Sequence, residues 1–201
     1  MNYLAHLFLS PNQSQVRVGN LMGDFVKGNK LDYLPPPMEV GVYLHRHIDK
    51  FTDQHPSVEP LKSLLSKERR RFSGIIADVT FDHFLAKHFE KFSSDTLEVF
   101  AQQCYEELAA NKTHMPEKMA LMVTRMISGN WLLAYREPVA IADALNGISR
   151  RIRFENKLMG AGEEVMPAYQ VYEQAFLDFF PELIDFSLNT YQQLQESRNV
   201  I

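Results

Sequence analysis

The chain has 201 residues, 45% of them hydrophobic and 23% charged, with 25 acidic against 21 basic side chains and a formal net charge of -4. That content suits one domain over residues 1–201 with a substantial core, and the acidic balance argues against a general nucleic-acid binder. The single cysteine, Cys104, excludes an intrachain disulfide and a thiolate metal cluster, so any metal must be held by His, Asp, Glu or Asn.

The first ten residues are apolar but carry no basic leader, and no later run approaches the roughly 20 apolar residues of a membrane span. The expectation is a cytoplasmic protein with no membrane attachment. Pro35-Pro36-Pro37 ends the N-terminal segment and opens a helix from Met38 to Phe51. His55-Pro56 breaks the chain again, and Pro56 suits the first turn of a helix reaching about Leu65. A longer helix is predicted from about Glu68 to Phe92, and Ser93-Ser94-Asp95 caps another over Leu97–Ala110. Pro116 opens a helix through Met126, Gly129-Asn130 breaks it, and Pro138 opens the next to about Arg151. After Gly160-Ala161-Gly162 comes a long helical region predicted to be interrupted at Pro181. Its aromatic stripe (Tyr169, Tyr172, Phe176, Phe179, Phe180) reads as core. The fold class is all-α, a helical bundle.

Chemistry-bearing residues concentrate in the first 90 positions. Asn20 and Asp24 are four apart and share a face if their segment is helical. His45, Asp49 and Asp53 fall at i, i+4 and i+8, where a His and a carboxylate one turn apart can ligate one cation. Asp78 and Asp82 are again one turn apart in a strongly apolar stretch, with His83 about 100° round. Paired acids in such a setting raise each other's pKa unless a cation neutralises them. His6, with Asn2 one turn behind it, is a further candidate. Hard mixed ligands of this kind suit Mn²⁺, Mg²⁺ or Fe²⁺.

Several blocks then match a known family in order. Asn2-Tyr3-Leu4-Ala5-His6, Gly19-Asn20 with Gly23-Asp24-Phe25 and Gly28, His45-Arg46-His47-Ile48-Asp49 and Asp53 form the first set. Arg70-Arg71, Asp78-Val79 with Asp82-His83-Phe84-Leu85, Trp131 to Tyr135-Arg136, and Leu145-Asn146-Gly147 to Arg150 continue it. Together they resemble the acyl carrier protein phosphodiesterases, almost from end to end. The resemblance implies a divergent HD-phosphohydrolase-like helical fold, Mn²⁺ dependence, and removal of 4′-phosphopantetheine from a serine of holo-acyl carrier protein. It implies catalytic roles for Asp24, His45, Asp49, Asp82 and Arg46, and a metal held by Asp24, His45, Asp49, Asp78 and His83. His6, Asn20 and Asp53 are possible additions. An acidic protein substrate calls for basic docking residues, for which Arg69, Arg70, Arg71, Arg150 and Arg151 are candidates. The competing readings are an HD-type nucleotide phosphohydrolase and a non-enzymatic helical scaffold whose His and Asp residues satisfy core hydrogen bonds.

Overall fold

Prolines and tight turns set the helix boundaries close to where the hydrophobic periodicity puts them. The structure, a computed structural model, describes residues 1–199, which among themselves form helices and turns without a strand. The α-helices are α1 (Tyr3–Phe8), α2 (Ser14–Met22), α3 (Pro36–Gln54), α4 (Ser73–Lys87) and α5 (Leu97–Ala110). They continue with α6 (Glu117–Ser128), α7 (Trp131–Ala134), α8 (Val139–Arg151), α9 (Gly162–Val165) and α10 (Tyr169–Asn199). The all-α expectation holds. No helix among the described residues is long and apolar enough to cross a membrane.

Four features differ from the sequence expectation. The helix predicted from Glu68 to Phe92 is split: 3₁₀ turns at Arg70–Phe72 and Phe89–Lys91 flank α4. The segment after Pro56 forms only a 3₁₀ turn, Glu59–Leu64. The cap of α5 is Thr96, whose hydroxyl accepts the Val99 N–H at 3.3 Å, while Ser93 closes the preceding turn on Asp95. Pro181 does not interrupt α10, which runs through it as a 31-residue helix. The proline ring is exposed, whereas Tyr172, Phe176, Phe179, Phe180 and Leu183 are fully buried. Burial of that stripe outweighs the roughly 3 kcal/mol that an internal proline costs.

At the centre stands α4, predominantly apolar and with all of Val79–Ala86 buried. Such a helix must be covered all round, and α1, α8 and α10 cover it. Phe81 packs against Phe176 and Phe179 at 5.6 and 5.7 Å between ring centroids, and Phe51 of α3 stacks on Phe186 of α10 at 4.2 Å.

The closest helix pair is α2 on α3. A Cβ added at Gly19 would lie 2.1 Å from the Met38 carbonyl oxygen, and one at Gly41 would lie 2.2 Å from that of Val16. Two glycines therefore let the backbones touch, and this contact fixes the loop after α2 against the middle of α3. Gly41→Ala should destabilise the protein by about 1–3 kcal/mol, because the collision is with backbone that cannot rotate away. Urea unfolding followed by circular dichroism measures it; an unchanged midpoint would show that the helices can separate freely.

Candidate metal centre

Three elements converge where α2 ends. α3 supplies His45 and Asp49 on successive turns, the 3₁₀ turn Gly23–Phe25 supplies Asp24, and α1 supplies His6. The His45 Nε2 atom lies 3.1 Å from Asp49 Oδ2 and 3.4 Å from Asp24 Oδ1. His6 stacks on His45 with centroids 4.0 Å apart, and its Nε2 is 3.1 Å from Asp49 Oδ1. One donor atom each from His6, His45 and Asp49 fits within 4.8 Å, a spacing that one cation can span. Gly23 is required here: a Cβ on it would fall 2.2 Å from the His45 ring.

The hydrogen bonds behind His6 determine its tautomer. The Ser10 hydroxyl donates to the His6 carbonyl at 2.8 Å and accepts the Asn20 amide N–H at 2.9 Å. Asn20 Oδ1 must then face His6 Nδ1, 2.9 Å away, so Nδ1 carries the proton. Burial pushes the His6 pKa down to about 4, helped by the neighbouring His45, so the ring is neutral at pH 7. Its Nε2 thus points a lone pair at two oxygens, Asp49 Oδ1 and the Met1 carbonyl, each 3.1 Å away. Lone pairs facing each other in a buried site repel, and a cation among them removes the conflict. An imidazole whose second nitrogen is held by a side-chain carbonyl is also the usual form of a metal-ligating histidine. The donor set fits a hard divalent ion.

The remaining titratable groups of the cluster pair with one another. Burial disfavours charge on His45, but its hydrogen bonds to Asp24 and Asp49 win and raise its pKa to about 9. Burial works against the Asp49 carboxylate, yet the N-terminal ammonium of Met1 and the His45 imidazole hold it well below the usual range. Asp24 is likewise lowered: burial opposes its charge, and His45 outweighs burial. The Met1 ammonium lies 3.1 Å from Asp49 Oδ1 and 2.9 Å from Asp78 Oδ1, and Asp78 itself is raised to about 6 by burial.

The sequence candidates therefore separate. Asp24, His45 and Asp49 come together, His6 joins them, and Asp78 borders them through the Met1 ammonium. Asn20 stands behind His6 as its partner. Asp53 is exposed beyond the cluster. Asp82 faces away: its carboxylate accepts the Leu4 and Ala5 N–H groups at 2.7 and 3.0 Å, capping α1, and burial raises its pKa to about 7. His83 bonds the Tyr135 carbonyl and the Tyr169 hydroxyl, both at 2.7 Å. Arg46 reaches the Gly28 carbonyl and Asn29 in the loop after α2. Arg69 ties down Lys157, Met159 and Glu164, Arg70 bonds the Leu65 carbonyl, and Arg71 lies over Phe72 and Phe154.

A cavity of about 310 Å³ opens over Asp24, Asp49 and Asp78, with Tyr3, Ile148 and Arg151 on its rim. Arg151 donates to the Tyr3 hydroxyl at 3.2 Å. Tyr3 is a site residue that the sequence reading did not single out; its place directly after Asn2 in the first matched block was the available signal. Asn20→Ala should weaken the binding of a divalent cation by about 10- to 100-fold, as loss of a ligand-orienting partner does. Calorimetric titration reads this directly, and undiminished affinity would mean that Asn20 does not orient His6.

The family model described as acyl carrier protein phosphodiesterase matches residues 1–183. An acyl carrier protein phosphodiesterase of Yersinia pestis is 35% identical over 185 residues, covering 92% of this chain and 96% of its own length. That of Salmonella agona (strain SL483) is 32% identical over the same shares. No solved structure matches. With its cluster of His6, Asp24, His45 and Asp49 lying inside the matched span, the chain belongs to the acyl carrier protein phosphodiesterase family.

Proposed function

We propose that the protein hydrolyses the phosphodiester linking 4′-phosphopantetheine to a serine of holo-acyl carrier protein, releasing the arm and the apo protein, at the cavity above Asp24 and Asp49. The observation that carries this reading is the neutral, tautomer-locked His6 facing Asp49 beside His45, an arrangement that calls for a cation. His6, His45 and Asp49 would hold a divalent ion, Mn²⁺ in our reading, which supplies positive charge to the phosphoryl oxygens and acidifies a water.

The chain's own groups supply the rest. In the overall reaction the water oxygen forms a new bond to phosphorus, the P–O bond to serine breaks, and the serine oxygen ends with a proton. Asp24 is half exposed at the cavity mouth and ionised, so it can accept a hydrogen bond from the attacking water and hold it in line. Arg151 is exposed on the opposite rim, where its guanidinium can bond two phosphoryl oxygens at once. Asp82 acts at one remove, holding α1, and with it His6, through the two backbone N–H groups it accepts.

Mass spectrometry of holo-acyl carrier protein incubated with the enzyme and Mn²⁺ should show loss of the prosthetic arm. Chelation should stop the reaction and added Mn²⁺ restore it. Asp24→Ala should reduce kcat by at least about 100-fold, the range spanned by positioned acid–base groups, with the helical circular dichroism intact. An untouched carrier protein beside a cleaved nucleotide from a test panel would favour the nucleotide phosphohydrolase instead.

A further inference from the structure

A second cavity, about 550 Å³, lies beside the first between α7 and α8. The two share Asn2, Tyr3, Ile148 and Arg151, so they form one continuous depression with Arg151 at the junction. The larger limb is walled by Trp131 and Tyr135 on one side and by Ala140, Ala144 and Gly147 of α8 on the other. Tyr3 lies parallel to Trp131 at 6.4 Å between centroids, so aromatic faces line the path from the junction outward. Arg125, Asp143 and Arg150 set polar groups around its edge.

We propose that this limb is the binding site for the pantetheine arm of the substrate, an inference that rests on the phosphodiesterase reading above. The arm is an uncharged flexible chain of methylenes, a dimethyl-substituted carbon, a secondary hydroxyl, two amides and a terminal thiol. A mainly apolar groove with a few polar edges matches that chemistry, and its volume falls in the range of small-molecule sites, about 300–1,000 Å³. The junction fixes the direction: the phosphate lies at Arg151, between the carboxylate cluster and the groove, and the arm runs away from the cluster toward Trp131. Binding of this remote, unreacting portion positions the phosphorus, and such binding energy is expressed in turnover as well as in affinity.

Gly147 gives a clean probe. It lines the groove, and a Cβ built on it meets nothing within 4 Å, so a side chain there enters open space without disturbing the fold. As an interior helical glycine its replacement also favours the helix. Trp131 is the only tryptophan in the chain and stands in the groove wall, which makes its fluorescence a direct readout of occupancy.

Titrating wild-type protein with pantetheine and with 4′-phosphopantetheine should change Trp131 emission saturably, whereas inorganic phosphate should not. Gly147→Phe should weaken both responses by at least about tenfold, equivalent to 1.4 kcal/mol, and lower kcat/KM for holo-acyl carrier protein by a similar factor. Its melting temperature and Mn²⁺ uptake should match wild type; if they do not, Ala144→Leu, on the same wall, replaces it. A flat fluorescence titration of the wild type, or either folded variant retaining full kcat/KM, overturns the groove assignment. Wild-type protein that leaves the holo-carrier intact while Trp131 responds to pantetheine overturns the phosphodiesterase reading alone, and the groove stands as a pantetheine site.

Discussion

The centre depends on how closely α2 can approach α3. Side chains usually hold packed helices 8–10 Å apart, but Gly19 and Gly41 bring these two into backbone contact. Only then does the Gly23–Phe25 turn reach the middle of α3, and only with glycine at position 23 can that turn lie on the His45 ring. Asp24 is carried over His45 by this packing, not by any property of its own. The same approach puts Asn20 behind His6. A chain of three glycines thus converts two ordinary amphipathic helices into the walls of a polar site.

A second layer of control comes from groups outside the cluster. Ser10 and Asn20 set the His6 proton on Nδ1, and Asp82 grips the first turn of the helix that carries His6. Asp82 meets α1 where the helix exposes unbonded N–H groups and the positive end of its dipole. Its carboxylate therefore acts as a cap supplied from a distant part of the chain. Each of these residues is buried, so none is free to drift with solvent, and the imidazole they support has one orientation.

The sequence revealed the part of this arrangement that is local. His45 and Asp49 are one helical turn apart, and that spacing alone predicts that they share a face. Asp53 shows where such reasoning ends: at i+8 it has rotated about 80° and risen about 12 Å, past the edge of the site. Asp82 and His83 were legible as polar residues in an apolar stretch, and a shared cation was one way to satisfy them. The fold satisfies them otherwise, through backbone groups of α1 and Tyr135 and the Tyr169 hydroxyl. Those partners lie 52 to 86 positions away in the chain, beyond the reach of any periodicity. Arg69, Arg70 and Arg71 are similar: a basic run reads as a docking surface, yet these guanidiniums anchor neighbouring loop segments and rest on aromatic rings.

Charge then orders the events at the site. Asp24, Asp49 and Asp78 surround one small cavity, and three carboxylates would repel a phosphodiester anion. Part of that field is already offset by the charged His45 and the Met1 ammonium, whose pKa rises to about 11 because Asp78 and Asp49 outweigh the cost of its burial. The remaining negative potential favours a cation over an anion at this cavity. On the far rim the sign reverses. Arg125, Arg150 and Arg151 border the adjoining groove and outnumber its one carboxylate, Asp143, so the potential there is positive. The net charge of -4 is thus unevenly spread: carboxylates gather around the small cavity, and three arginines stand beside the groove that adjoins it.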